Sequence, residues 1–99
     1  MKKLFISQPM RGKTNEEILK EREKAINEAK KIYGKDIEVI DSFFQDAPVD
    51  AKPLWFLGKS IELLSKADVV FFAEGWNQTR GCIIEHESAV RYGIPILSD

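Results

Sequence analysis

A polar segment near the C-terminal end of the chain carries the strongest chemical signal. Thr79 can cap a helix and bind an anion at its N-terminus, and Gly81 permits the close approach of a ligand. Glu85 lies about one turn into the same helix, where the helix dipole favours an ionised carboxylate. At the mouth of a pocket, such a carboxylate can act as a nucleophile on an oxocarbenium-like sugar carbon. The alternative is that Glu85 is an ordinary acidic residue near a helix start.

The loop Gln8–Lys13 is a second candidate for contact with a ligand. It follows an apolar run and precedes a helix, so free backbone N–H groups and the helix dipole can face an anion. Arg11 adds a planar guanidinium that suits a phosphate or a carboxylate. The spacing and the number of glycines exclude a Walker A loop. The alternative is a polar turn whose charges are solvated.

The same segments allow weaker interpretations. Glu85, His86 and Glu87 are adjacent and point about 100° apart on a helix, so they cannot close on one metal ion, and we expect neither a metal nor a cofactor. Cys82 and His86 share a helix face and could form a thiol–imidazole pair, although such a cysteine is more often buried packing. Aromatic side chains in or beside the loops could stack a base or fill the core: Phe43, Phe44, Trp55, Phe56 and Trp76.

Four short apolar runs predict the strands that position these residues. They cover residues 3–7, 37–41, 67–73 and 94–97. The run at 67–73 is unbroken, as in a strand that is covered on both faces within a parallel sheet. Pro95 suits an edge strand.

Segments with helical periodicity separate these strands. The first begins at a capping box formed by Thr14 and Glu17 and ends at Gly34. The second begins at Pro53, and the third covers residues 81–92. The predicted apolar stripe of the second helix consists of Leu54, Leu57, Ile61 and Leu64.

This alternation predicts an α/β fold with three layers, of the flavodoxin-like or Rossmann-like type. The parallel sheet should contain about four strands in the order 2-1-3-4. Ligands of such sheets bind beyond the carboxyl ends of the strands, near the switch in strand order. Three loops are expected to meet there: Gln8–Lys13, Asp41–Lys52 and Glu74–Arg80.

Length and composition narrow the class of protein. The 99 residues fit a single domain, 1–99. The 15 basic and 16 acidic side chains nearly balance, which argues against polymeric nucleic acid as a partner. Cys82 has no second cysteine to pair with, which favours a reducing compartment. The N-terminal apolar stretch is too short for a signal peptide or a membrane helix, so we expect a cytoplasmic protein with no membrane partner.

Three segments resemble the nucleoside 2-deoxyribosyltransferase-like family, which includes the related 2′-deoxynucleoside 5′-monophosphate N-glycosidases. They are the strand and loop at 4–12, the strand start at 67–70, and the segment from Thr79 to Glu85, which continues to Gly93. In the third segment the family has a Ser or Thr, a Gly two residues later, a nucleophilic Glu and a small-residue helix that ends in Gly. The resemblance covers nearly the whole chain and is greatest to a branch of small phage and bacterial proteins.

The resemblance implies a role for each matching residue. Glu85 takes the position of the nucleophile, which attacks the anomeric carbon as the base departs. Thr79 and Gly81 take positions that line the sugar or the phosphate, while Arg11 and Gly12 match the phosphate-side loop of the N-glycosidases. The remaining substrate-binding candidates are their neighbours and a position in the second helix: Gln8, Pro9, Met10, Ser60 and Arg80. A homo-oligomer is also implied, in which a neighbouring subunit helps to close each pocket.

The chain departs from the family pattern at two positions. Ser60 stands in the second helix where the enzymes carry a catalytic aspartate, and serine cannot shuttle a proton to a leaving base at neutral pH. Glu87 stands where the enzymes usually have Gly, and its bulk could narrow the pocket. Asp41, Asp46 or Asp50 from the second loop could replace the missing aspartate.

The sequence therefore leaves two functions open, and in both the ligand is a small-molecule nucleoside or nucleotide. The first is cleavage or transfer at the N-glycosidic bond of a (deoxy)nucleoside or its monophosphate, with Glu85 as the nucleophile. The second is a non-catalytic nucleotide-binding module on the same fold, which Ser60 and Glu87 favour. A hydrolase that uses Cys82 is a third class.

Overall fold

Strands and helices alternate along the chain in a computed structural model that describes residues 1–42 and 47–98. The strands are β1 (Lys2–Ser7), β2 (Ile37–Val39), β3 (Val69–Phe72) and β4 (Ile96–Ser98). The helices are α1 (Asn15–Tyr33), α2 (Pro53–Leu64) and α3 (Arg80–Arg91), and a 3₁₀ turn at Trp76–Gln78 precedes α3. Within the described ranges, no helix combines the length and the apolar character needed to cross a bilayer.

The strands form one sheet in the order β2-β1-β3-β4, and each neighbouring pair is parallel. This confirms the predicted α/β class and the predicted strand order. Leu4 in β1 lies opposite Val39 on one side and Val69 on the other, and Phe71 in β3 lies opposite Leu97. The order reverses between β1 and β3, so the loops that follow these two strands lead away from the sheet in opposite directions. A crevice opens between them at the carboxyl edge.

The core has two apolar halves, one on each face of the sheet. Because successive strand side chains point to opposite faces, Ile6 and Phe71 pack on the side of α1, whereas Phe5 and Phe72 pack on the side of α2 and α3. The small, fully buried Ala25 lets α1 approach the sheet closely. The helices on both faces produce the predicted three layers.

The predicted start and end of α1 are confirmed. The Thr14 hydroxyl accepts a hydrogen bond from the Glu17 backbone N–H at 3.2 Å, and the Glu17 carboxylate accepts one from the Thr14 N–H at 3.3 Å. This reciprocal pair satisfies two N–H groups at the helix start. Gly34 ends the helix with a φ of +80°, a conformation that disfavours other residues.

Several predicted boundaries are wrong by one or more residues. β2 stops at Val39, two residues short of the predicted end, and β4 starts after Pro95, which lacks the N–H that a ladder needs. β3 is shorter than predicted, because Asp68 precedes it and its carboxylate accepts from the Lys3 N–H at 2.8 Å. Leu54 does not belong to the buried stripe of α2 and is 75% exposed, since the first turn of this helix lies over a pocket rather than over the sheet.

Candidate functional site

An open pocket of about 810 Å³ lies at the carboxyl edge of the sheet, where the strand order reverses. Its walls come from the end of β1 and the loop after it, from Ser42, from the first half of α2 and from the first half of α3. Most of the lining surface is apolar, as in pockets that enclose small organic ligands. Most of the site residues that the sequence predicts lie at this edge and line the pocket. They are Gln8, Met10, Ser60, Thr79, Arg80, Gly81 and Glu85.

Glu85 is the carboxylate at the buried end of this pocket. Its side chain is 6% exposed, and its Oε1 accepts a hydrogen bond from the Ser7 hydroxyl at 2.8 Å. Burial raises the pKa of Glu85 to about 7, and the hydrogen bond from Ser7 opposes part of this rise. Among the described residues no second donor is bonded to the carboxylate, so Oε2 is left for a ligand in the pocket.

Local sequence explains why Ser7 meets Glu85. Ser7 is the last residue of β1 and pairs with Phe72 in β3, so its backbone is fixed by the sheet. α3 begins immediately before the pocket, and its buried positions Cys82, Glu85 and Ala89 recur at helical spacing along the face that packs on the sheet. Cys82 and Ala89 are small side chains that suit a buried helix face, whereas Glu85 between them places a carboxylate on that face.

Gln8 lines the pocket with a buried side chain that is held in place by α1. The Arg22 guanidinium donates to the Gln8 side-chain oxygen at 3.2 Å, and the Gln8 amide donates to the Ile18 carbonyl at 3.2 Å. Arg22 also donates to the Ser42 hydroxyl at 3.5 Å, which connects the first loop to the second. Burial lowers the pKa of Arg22, and the nearby Asp41 carboxylate opposes this effect. This polar network fixes the wall that carries Gln8.

The other first-loop candidates are not all brought to the pocket. Met10 lines it, whereas Pro9, Arg11 and Gly12 do not. The Pro9 ring lies near Gly75, 3.6 Å from the point a Cβ would occupy there, and Arg11 is exposed. Gly12 makes the turn before α1 with a φ of +79°.

Two cationic side chains, both exposed, line the pocket. Arg80 is the first residue of α3 and was a candidate from the sequence, whereas Lys52 directly precedes α2 and was missed. A cation before a helix start has no distinctive signal, because lysine is common in loops. The positive charge expected from Arg11 is therefore supplied to the pocket by these two residues.

Thr79 and Gly81 line the pocket as predicted, but Thr79 caps α3 in a different way from the one predicted. Thr79 occupies the cap position of α3 through its carbonyl, which accepts from the Ile83 N–H at 2.9 Å. Its side chain makes no capping hydrogen bond, so the predicted hydroxyl cap is wrong. Gly81 faces α2, with the Leu57 Cδ1 4.0 Å from the position of an added Cβ. Thr79 and Gly81 both remain beside the space that a ligand would fill.

Ser60 from α2 also lines the pocket. Among the described lining residues, Glu85 is the only carboxylate. Of the possible substitutes for an aspartate, Asp41 and Asp50 are exposed and do not line the pocket, and Asp46 lies outside the described residues. The described part of the site thus combines one buried carboxylate with hydroxyl groups and exposed cations.

The bulk of Glu87 does not narrow the pocket. Its carboxylate is exposed and accepts a hydrogen bond from Arg91 one turn further along α3. The expectation that Glu87 could intrude is wrong, because two residues after Glu85 the helix surface has turned through about 200°, towards solvent.

The aromatic candidates divide between the pocket and the core. Phe56 lines the pocket, and Trp55 packs edge-on against it with ring centroids 5.1 Å apart. Trp76 instead stacks on His86 at 4.0 Å and contacts Phe72, so it closes the core beside α3. Phe43 and Phe44, the two other candidates, lie outside the described residues.

The thiol–imidazole pair is not assembled. The His86 ring lies against Trp76 and Phe72, whereas Cys82 lines the pocket beside Ser7. Cys82 is 4% exposed, and burial raises the pKa of its thiol. A buried, protonated thiol without an imidazole partner is a poor nucleophile, so the site does not favour thiol chemistry.

A scan against protein-family models and searches of curated proteins and of solved structures find no match for the chain. Within the described ranges, no group of three or more His, Cys, Asp or Glu side chains is placed to hold a metal ion. The observations that bear on function are therefore the geometry of the pocket and the motif at 79–85.

Proposed function

We propose that the protein cleaves or transfers the N-glycosidic bond of a nucleoside or nucleoside monophosphate, with Glu85 as the nucleophile. The observation that carries this proposal is the placement of the Glu85 carboxylate, which is 6% exposed, lines the pocket and is fixed by Ser7. A carboxylate in such apolar surroundings attacks an electron-poor sugar carbon with little hydration left to remove. The motif at 79–85 adds the family resemblance.

The proposed reaction has two steps. In the first, Oε2 of ionised Glu85 forms a bond to the anomeric carbon while the C–N bond breaks and its electron pair moves to the base nitrogen. That nitrogen takes up a proton from water. In the second step, a water oxygen bonds to the anomeric carbon and the carboxylate leaves with its electron pair. The proton that this water loses replaces the one that the base took up, and transfer results when a second base attacks instead.

The surroundings of Glu85 support this role. With a pKa of about 7, the carboxylate is partly ionised at neutral pH, and the positive charge that develops on the sugar favours its ionised form. The Ser7 hydroxyl fixes Oε1, and among the described residues no donor is bonded to the other oxygen. Lys52 and Arg80 on the exposed side of the pocket suit a 5′-phosphate, for which arginine offers two parallel donors.

A non-catalytic nucleotide-binding module is the second candidate, and Ser60 is the observation that favours it. Cleavage of the glycosidic bond to a neutral base benefits from both a nucleophile and an acid. The described lining of the pocket contains only one carboxylate, Glu85, so it supplies only one of the two. A module of this kind would keep the pocket and its cations but would not release the base.

Base release from a panel of nucleosides and monophosphates separates these two functions. The purified protein is incubated with each ligand, with and without an acceptor base, and the products are separated by chromatography. Glu85→Gln should abolish turnover, because an amide cannot form the glycosyl ester. The matched control is Glu87→Gln, which changes an exposed carboxylate on the same helix and should leave turnover unchanged.

Two other outcomes would contradict the assignment of Glu85 as a catalytic nucleophile. Ligands that raise the melting temperature without any base release, in the wild type and in Glu85→Gln alike, would identify a binding module. Turnover that survives in Glu85→Gln would show that another residue performs the attack.

A further inference from the structure

Among the described residues of the pocket lining, the α2 wall offers no carboxylic acid that could protonate a leaving base. Ser60 lines this wall, and its hydroxyl does not release a proton to a departing base at neutral pH. The described carboxylate of the lining, Glu85, is already needed as the nucleophile. Arg80 cannot serve as an acid either, because a guanidinium stays protonated in proteins. Lys52 is exposed at the start of α2 and is assigned to the phosphate of the ligand rather than to the base.

The need for an acid depends on the charge of the base. A neutral purine or pyrimidine leaves with the electron pair of the C–N bond and becomes an anion unless it is protonated. A base that carries a fixed positive charge, such as a pyridinium or an N7-alkylated purine, leaves as a neutral molecule. General acid catalysis typically contributes about 10²–10⁴-fold, so a site without it discriminates strongly between these two classes.

The charges of the pocket fit the second class. The Glu85 carboxylate lies at the buried end in largely apolar surroundings, where a positive charge on the ligand is attracted to it with little screening by water. The exposed Lys52 and Arg80 lie on the side where a phosphate on the same ligand would meet solvent. A cationic base and an anionic phosphate would thus each find a partner of opposite charge.

Building on the proposed function, we infer that the substrates are N-glycosides whose leaving base is a quaternised, positively charged heteroaromatic ring. Glu85 Oε2 bonds to the anomeric carbon, and the electron pair of the breaking C–N bond neutralises the ring cation, so the base departs without a proton. Water then bonds to the anomeric carbon, the carboxylate is released, and one proton passes to solvent. The balance is one water consumed, with a sugar, a neutral base and a proton formed.

A matched pair of substrates tests the inference. N7-methylguanosine and guanosine differ by one methyl group and one positive charge, and nicotinamide riboside supplies an unrelated cationic base. Because cationic nucleosides also hydrolyse faster on their own, the quantity compared is the rate enhancement over the uncatalysed reaction at the same pH. We expect an enhancement about 100-fold or more greater for the two cationic nucleosides than for guanosine.

Substitution of Ser60 then tests the structural cause. Ser60→Asp places a carboxyl on the pocket wall and should raise guanosine cleavage by about tenfold or more, while N7-methylguanosine cleavage changes by less than about threefold. Ser60→Asn is the matched control, because it has similar bulk and no proton to give, and it should raise neither. Asp46→Asn, in the segment outside the described residues, should leave both rates unchanged.

The outcomes separate the inference from the function beneath it. A wild-type enhancement for guanosine within about tenfold of that for N7-methylguanosine would overturn the inference and leave the proposed function standing. Guanosine cleavage that is unchanged in Ser60→Asp, or that is lost in Asp46→Asn, would overturn the assignment of selectivity to position 60. No cleavage of any of the three nucleosides, or cleavage that persists in Glu85→Gln, would overturn the proposed function itself.

Discussion

Replacement of Glu85 by Gln should change how the stability of the protein depends on pH. Burial raises the pKa of Glu85 from 4.5 to about 7. Between these pH values the unfolded chain has lost this proton while the folded chain still holds it, so the folded state binds more protons. The free energy of unfolding of the wild type therefore falls as the pH rises from about 4.5 to about 7, and this contribution becomes constant above that range.

The size of the fall follows from the size of the shift. A pKa displaced from 4.5 to about 7 in the folded state corresponds to about 3 kcal/mol of stability lost on ionisation. Glu85→Gln has no group that ionises at this position. Its free energy of unfolding should therefore not show this decrease between about pH 4.5 and about pH 7. For a domain of about 100 residues, 1 kcal/mol displaces Tm by roughly 4–8 °C, so the effect amounts to about 10 °C or more.

Urea denaturation followed by circular dichroism measures the difference between the two chains at about pH 4.5 and about pH 8. The variant should gain about 3 kcal/mol relative to the wild type over this interval. Glu62→Gln is the control, because it removes an exposed carboxylate from α2 and should leave the pH dependence close to that of the wild type. Parallel profiles for the wild type and Glu85→Gln would refute the conclusion that the folded chain ionises this carboxylate only near neutral pH.

Three further results are expected. Ser7→Ala removes the hydrogen bond that opposes the effect of burial, so the pKa of Glu85 should rise further and base release should begin at higher pH; an unshifted pH–rate profile would contradict this. Thr14→Ala breaks the capping box with Glu17 and should lower the free energy of unfolding by about 1 kcal/mol in urea, whereas an unchanged midpoint would show that the box contributes nothing. Cys82 is buried and burial raises the pKa of its thiol, so iodoacetamide should label the folded chain about 100-fold more slowly than the unfolded chain; equal rates would indicate an exposed thiolate.

The fold was largely predictable because its signals are local. The unbroken apolar run that contains Val69–Phe72 indicates a strand covered on both faces, and the Thr14–Glu17 box marks a helix start within four residues. The strand ends were less predictable, because an apolar pattern does not specify where the backbone of one strand leaves its neighbour, and β1 continues to Ser7 beyond its pairing with β2. β2 ends at Val39 although the apolar pattern continues through Ile40.

The candidate site was predictable in its position but not in its contacts. The carboxyl edge of the sheet follows from the topology, and Glu85 follows from its motif. The hydrogen bond from Ser7 to Glu85 joins residues 78 positions apart, and no local pattern specifies that β1 and α3 meet there. The sequence also did not indicate which arginine lines the pocket. Arg11 and Arg80 each precede a glycine, and only the path of the backbone in the folded chain brings Arg80 to the pocket.

Trapping of the glycosyl ester tests most directly the claim that Glu85 attacks a sugar. The protein is incubated with a pyridinium nucleoside of a 2-deoxy-2-fluoro sugar, whose good leaving group favours formation of the ester and whose fluorine slows its hydrolysis. Peptide mass spectrometry should then find one added glycosyl unit on the peptide that contains Glu85, and no addition in Glu85→Gln. Release of the pyridine base without any addition at Glu85, or with the addition on another residue, would contradict the assignment of Glu85 as the nucleophile.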